Sequence, residues 1–104
     1  MDKSPRLSHA TLKVLRMFMN NPTLGLSGSD ISKQADIWSG TLYPLLARLE
    51  KAAWLVSEWE MVQPSAVGRP RRRIYKITAV GQRAAYEALA ALDLVGDHRS
   101  WITT

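Results

Sequence analysis

The sequence predicts a mainly α-helical domain that carries one small β-hairpin. Apolar spacing and capping residues mark three N-terminal helices, two stretches of alternating β-formers follow at 54–62 and 72–78, and a further helical segment comes last. The 104 residues are enough for one domain with a small core. The apolar fraction of 46% and the charged fraction of 22% are ordinary for a globular domain.

Charge and composition narrow the classes of function. A net charge of +5 and a pI near 10.0 indicate a polyanionic partner, either nucleic acid or an anionic membrane surface. The absence of cysteine excludes disulfides, a thiol nucleophile and a zinc finger. The N-terminus lacks an apolar signal core, and no run approaches the ~20 apolar residues of a membrane span. We therefore expect a soluble protein of the cytoplasm.

Two helices are predicted before residue 36. The first ends at 20–22, Asn-Asn-Pro, because the residue before a proline disfavours the α region. Ser27 and Asp30 resemble a capping box and predict a second helix through about Ala35, while Leu24 and Leu26 favour a brief extended stretch before it. The apolar positions that define the first helix are Leu7, Ala10, Thr11, Val14, Leu15 and Phe18.

A third helix has the clearest pattern. Ser39 is a good N-cap, and Pro44 fits only near a helix start, where a missing N–H costs little. One face carries an apolar stripe of Leu42, Leu45, Leu46, Leu49 and Ala53. The other face is small, polar and basic, with Gly40, Thr41, Tyr43, Pro44, Ala47, Arg48 and Lys51.

The alternating stretches predict an antiparallel hairpin whose loop spans roughly ten residues. Trp54 and Trp59, in or beside this hairpin, are expected in the core. Thr78 then caps a fourth helix from about Ala79 to Val95, and the tail beyond it is expected to fray.

Helix, helix, helix, hairpin and helix is the layout of a winged helix-turn-helix. In such folds the second helix of the pair enters the major groove of DNA, which is about 12 Å wide, and the hairpin reaches along the backbone or into the minor groove. The predicted DNA contacts are Ser39, Gly40, Thr41, Tyr43, Pro44 and Arg48 on the recognition helix, and Arg69, Arg71, Arg72 and Arg73 on the wing. A merely solvated turn is the alternative for the arginines, and Glu58 or Glu60 could pair with Arg73 or Lys76.

The fourth helix predicts a dimer. Between Ala84 and Val95 only Glu87 and Asp93 are charged, and a helix that is apolar nearly all round must be covered on more than one side. We expect residues 1–78 to bind DNA, and residues 79–104 to form the dimerisation helix and tail of the same compact domain. The expected interface comprises Leu12, Leu15, Met19, Tyr86, Leu89, Leu92 and Val95.

Three stretches closely resemble the PadR family of bacterial transcriptional regulators: GTLYPLLARLEKA (40–52), GRPRRRIYKIT (68–78) and VGQRAAYEAL (80–89). The resemblance, to the compact subfamily with a single C-terminal dimerisation helix, implies a homodimeric winged-helix repressor on a roughly palindromic operator. It also implies a response to small aromatic or cationic compounds. Two departures are visible: Ala53 replaces a usual glycine, and SGSDISKQ (27–34) replaces a Gly-aromatic stretch.

Other functions fit the residues less well. The C-terminal half of the sequence disfavours a winged helix of the MarR type, and the basic wing disfavours a protein–protein adaptor. An RNA binder usually presents exposed aromatic residues on a sheet, which this hairpin does not obviously provide. No catalytic constellation is present, since His9 and His98 lie at opposite ends of the sequence. Asp93, Asp97 and His98 have helical spacing but lack a further ligand, so neither a metal nor a cofactor is expected.

Overall fold

Helices and short strands alternate along the chain. The computed structural model describes the backbone of residues 5–103 and the side chains of residues 5–92. The predicted class is confirmed, with three N-terminal helices, a wing and a C-terminal helix. The elements are α1 (His9–Asn20), β1 (Leu26–Ser27), α2 (Gly28–Ala35), α3 (Ser39–Lys51), β2 (Leu55–Trp59), α4 (Pro64–Val67), β3 (Arg73–Ile77) and α5 (Ala79–Thr103).

Side-chain caps begin three of the helices. The Ser8 hydroxyl accepts the backbone N–H of Thr11 at 3.2 Å and begins α1. Ser27 accepts the N–H of Asp30 at 3.1 Å, which confirms the predicted start of α2. Thr78 accepts the N–H of Gly81 at 2.9 Å and begins α5, also as predicted. These local bonds satisfy N–H groups that have no partner inside a helix. The sequence predicted the caps of α2 and α5, whereas the Ser8 cap was not predicted.

The ends of α3 differ from the prediction. Its N-cap is Trp38, one residue before Ser39, and no side chain caps it. Ala53, assigned to the apolar stripe, instead lies exposed beyond the helix with φ +64°. This left-handed conformation strains a residue with a Cβ, which explains why a glycine is favoured at this turn.

The sheet has three strands instead of the expected two. β3 is central, and both β1 and β2 pair with it in antiparallel orientation. The register runs from Leu55 opposite Ile77 to Trp59 opposite Arg73. The loop of the hairpin contains the short helix α4, which was not predicted and which ends at Gly68 in the left-handed region (φ +70°).

The core lies where α1, α2 and α3 meet the base of the sheet. Trp54 is buried there as expected, but Trp59 is 56% exposed and its assignment to the core was wrong. Trp59 stands at the end of β2, where it contacts Arg73 of the neighbouring strand and not the apolar core. Leu15, expected at a dimer interface, is completely buried within this chain and has no surface for a second copy. The largest fully buried side chains are Phe18, Leu15, Ile31, Leu42, Leu45, Leu46, Leu49 and Leu55.

Helix α5 is longer than predicted and crosses closely over the hairpin base. A Cβ built on Gly81 would lie 2.1 Å from the carbonyl oxygen of Trp54, so only glycine permits this approach. The helix continues to Thr103, past the expected end and through the tail that was expected to fray. The side chains of Val95, of Trp101 and of the weak metal candidates at positions 93, 97 and 98 lie outside the described residues. In the described part of the chain, every helix is too short or too polar to span a membrane.

Candidate nucleic-acid interface

The predicted recognition helix exposes the side that was assigned to DNA. The leucine stripe of α3 is buried, so the opposite side faces solvent. All of the predicted contacts on this helix are exposed: Ser39, Gly40, Thr41, Tyr43, Pro44 and Arg48. Trp38, 77% exposed, lies against Gly40, where an added Cβ would be 2.6 Å from the indole. From its position beside the helix-turn, Trp38 was expected either to pack the turn or to lie near the DNA backbone, and it was not among the predicted contacts.

Tyr43 links the two helices of the helix-turn-helix. Its ring lies over Gly28 at the start of α2, where an added Cβ would be 2.7 Å from the phenol oxygen. The side chain nevertheless remains about half exposed. Tyr43 therefore packs against α2 and also leaves about half of its side chain exposed to solvent, so a structural role does not exclude a contact with DNA.

Arg69 is held within the wing by Glu60. Its Nη1 donates to Glu60 Oε1 at 2.6 Å and its Nη2 to Oε2 at 3.1 Å, a bidentate pair. The backbone N–H of Arg72 also donates to Oε1, at 2.8 Å. The Arg69 hydrogen bonds, followed by the Arg72 N–H, lower the pKa of Glu60 to about 2, and the same pair raises the pKa of Arg69. From the sequence, Arg73 or Lys76 was considered as the partner of Glu60. In the structure Glu60 pairs with Arg69 instead.

Arg73 is held by the sheet and by α3. Its guanidinium lies over the Trp59 ring, 5.4 Å from the centroid, and its Nε donates to Ser57 Oγ at 2.8 Å. Its Nη2 is 3.7 Å from Glu50 Oε2, which also accepts from the Ser57 hydroxyl. Glu50 therefore contacts the sheet, while Arg48 of the same helix is exposed.

Arg71 and Arg72 are the more available cations of the wing. Within the described residues, Arg71 donates through its Nε alone, to the carbonyl of Val62 at 2.9 Å. Arg72 approaches Asp30 at 3.8 Å, and both side chains are well exposed, so the pairing is weak. The guanidinium groups of these two arginines can therefore still accept an anion.

A cleft of about 380 Å³ lies between the start of α2, Tyr43 and the wing; we call it the basic cleft. Aromatic rings and guanidinium groups share its wall, and desolvation raises the pKa of Tyr75 inside it. Such a wall suits a phosphate or a planar anion. Its lining residues are Ser27, Gly28, Ser29, Tyr43, Trp59, Arg71, Arg72, Arg73 and Tyr75.

A helix-turn-helix whose recognition helix and basic wing flank one cleft defines a winged-helix protein of the transcription-regulator class. The chain belongs to the PadR-like family of transcriptional regulators, which matches residues 20–87. The resemblance noted in the sequence is thereby confirmed. No curated protein matches the chain significantly.

Solved structures agree with this assignment. A PadR family transcriptional regulator from Eggerthella lenta is 26% identical with a TM-score of 0.66, over 89% of this chain and 83% of that one. A PadR-like regulator from Bacillus cereus is 18% identical with a TM-score of 0.71, over 90% of each chain. NadR, solved with 4-hydroxyphenylacetate, is 25% identical with a TM-score of 0.71, over 93% of this chain and 64% of that one. The similarity to the Bacillus protein shows the fold alone.

Proposed function

We propose that the protein is a homodimeric transcriptional repressor that binds a palindromic operator through α3 and the wing. One observation carries this proposal: Tyr43 of α3 and Arg71 and Arg72 of the wing line the same basic cleft. Insertion of α3 into the major groove would bring the phosphates that border the groove close to these arginines.

The residues divide by role. In the proposed complex Thr41 and Tyr43, at the exposed start of α3, contact base edges, and Arg48, one to two turns further along the helix, contacts a backbone phosphate. Small neighbours allow the groove walls to approach closely: Ser39, Gly40 and Pro44. Arg71 and Arg72 contact phosphates directly, whereas Arg69 and Arg73 act by shaping the wing.

Dimerisation is proposed because α5 loses its cover along its length. Ala85 is completely buried against the domain, but Leu92 is 44% exposed although it lies seven residues on, on the same face. A second copy of α5 would cover this continuing face. The proposed interface therefore keeps Leu12, Met19, Tyr86, Leu89 and Leu92 and omits Leu15.

Binding to duplex DNA should depend strongly on salt, and this is the test of the proposal. A dimer that neutralises about 6–10 phosphates should give a slope of roughly −5 to −9 for log affinity against log salt concentration. Fluorescence anisotropy with a duplex from the region upstream of the protein's own gene, at several salt concentrations, measures the slope.

Three further nucleic-acid probes distinguish a sequence-specific regulator from a non-specific nucleic-acid binder and from a protein–protein adaptor. A random duplex measures non-specific binding, and single-stranded DNA and duplex RNA of equal length test a general nucleic-acid binder. Affinity that does not change with salt, or equal affinity for all four probes, would contradict the proposal. Failure to bind any of them would favour a protein–protein adaptor.

We further infer that the basic cleft accepts a small aromatic anion and that this ligand competes with DNA. The cleft combines three aromatic side chains with three arginines, which favours an anion and disfavours a cationic compound. Its volume is that of a small ligand site. The presence of 4-hydroxyphenylacetate in NadR gives a compound of this class to test.

Adding 4-hydroxyphenylacetate should therefore release the protein from DNA. The expected result is a DNA titration whose midpoint moves to higher protein concentration while its maximum is unchanged, because ligand and DNA compete for the same arginines. Benzyltrimethylammonium, of similar size and opposite charge, is the control and should leave the midpoint in place. No shift with millimolar 4-hydroxyphenylacetate, or an equal shift with both compounds, would show the inference to be wrong.

A further inference from the structure

The wing loop, residues 60–72, carries an acidic residue at its base, where electrostatics alone would disfavour it. A carboxylate beside DNA phosphates repels them, and Glu60 lies among the arginines proposed to bind those phosphates. The side chain of Glu60 is only 17% exposed, so it is built into the loop and does not extend freely into solvent.

Glu60 joins the two ends of the loop. Its backbone N–H donates to the carbonyl of Arg72 at 2.9 Å, which adds one pair to the ladder beyond Trp59 and Arg73. Its carboxylate accepts the backbone N–H of Arg72 at 2.8 Å and both terminal nitrogens of Arg69. One side chain therefore ties positions 60, 69 and 72 together with three charge-assisted hydrogen bonds.

The loop has little else to order it. Its residues are exposed along most of positions 61–71, and Met61 is almost fully exposed, so no apolar core supports the loop. The N–H groups of residues 66–69 reach the carbonyls of Gln63 and Pro64 and shape α4, and Arg69 Nη1 also reaches the carbonyl of Pro70. The other described bond that crosses the loop is the one from Arg71 Nε to the carbonyl of Val62, which is exposed and carries no charge on its acceptor. These bonds shape parts of the loop without fastening position 69 to position 60.

We propose that Glu60 is a positioning residue, which closes the wing loop and holds Arg71 and Arg72 in the conformation that meets DNA. This inference rests on the proposed DNA-binding function. The carboxylate stays ionised at any pH suited to DNA binding, since its contacts hold its pKa at about 2. The binding geometry thus depends on a negative charge that the phosphates themselves would repel.

Neutralising Glu60 should change DNA affinity in the direction opposite to that expected from charge alone. Removing a carboxylate near DNA ordinarily strengthens binding, but Glu60→Gln should weaken binding to the operator by roughly 5- to 20-fold, because the loop must then be ordered on binding. Glu58→Gln is the matched control, since it removes the same charge two residues earlier, in β2. Glu58 is exposed and lines the shallow cavity with Val56 and Lys76, not the basic cleft. Its variant should bind as wild type or up to about 3-fold more tightly.

Trypsin gives a readout that does not require DNA. It cleaves after arginine unless proline follows, so Arg69 is protected by Pro70 while Arg71 and Arg72 report on the opening of the loop. Cleavage after these two residues should be roughly 10-fold faster in Glu60→Gln than in wild type or Glu58→Gln, because the charge-assisted bonds that close the loop are lost.

The outcomes separate this inference from the proposed function. If wild type binds the operator and Glu60→Gln binds as well as Glu58→Gln or better, the positioning role is wrong although the DNA-binding function stands. If no variant binds DNA but Glu60→Gln is cleaved faster, the proposed function fails while the role of Glu60 in ordering the loop is supported. Equal cleavage rates in all three proteins, or global unfolding of Glu60→Gln by circular dichroism, would each overturn the local role.

Discussion

Replacing Arg71 and Arg72 together by alanine is expected to weaken binding to duplex DNA by roughly 100- to 1,000-fold near 0.15 M salt. A dimer would lose four phosphate contacts, and each lost contact removes the release of about one counterion. The salt slope should become shallower by roughly one unit per contact. Operator and random DNA should be affected almost equally, because phosphate contacts carry no sequence information.

The melting temperature of this double variant should stay close to that of wild type. Arg71 is exposed and the Arg72 side chain is 38% exposed, and substitutions at such surface positions usually change the free energy of unfolding by less than ~0.5 kcal/mol. Arg83→Ala is the control, since it removes an exposed positive charge from α5, outside the predicted DNA-binding segment. Unchanged DNA affinity in the double variant would mean that the wing arginines are only solvated.

Thr41→Ala should show a different pattern in the same titrations. Thr41 lies exposed at the start of α3, and in the proposed complex its side chain would reach base edges. The loss should be smaller overall and concentrated on the operator, with random DNA nearly unaffected. Equal losses on both DNAs would reassign Thr41 to the phosphate contacts.

Leu92→Asp is expected to convert the dimer to monomers at micromolar concentration. The substitution places an unpaired carboxylate in the proposed interface of each copy, and burying such charges should raise the dimer dissociation constant by about 100-fold or more. Operator affinity should fall with it, because each half-site is then bound separately. Sedimentation velocity measures the assembly and anisotropy measures the binding.

Val80→Asp is the matched control for this variant. Val80 is also an exposed apolar residue of α5, but it lies about 120° around the helix from Leu92 and directly opposite Leu89 of the proposed interface, so the dimer should persist. A wild-type protein that sediments as a folded monomer at micromolar concentration would contradict the dimer outright. Loss of the dimer in Val80→Asp as well would place the interface elsewhere on the helix.

The sequence by itself determined the elements whose causes are local. Ser27 and Thr78 begin their helices as predicted, since a cap needs only a hydroxyl and an N–H three residues on. The leucine stripe of α3 is buried as predicted, and the exposed face opposite it carries every recognition-helix candidate. The helix and hairpin order, and with it the winged-helix class, follows from these periodicities.

Only the tertiary structure decided how the wing is organised. Four arginines in one short stretch look equivalent in the sequence, yet Arg69 is bound by Glu60 and Arg73 by Trp59 and the α3 carboxylate. Their partners lie many residues away and meet them only once the strands have paired. Periodicity shows which face of an element is apolar, whereas burial depends on what packs against that face. This is why Trp59, at the end of its strand, is exposed and Leu15 belongs to the core of its own chain.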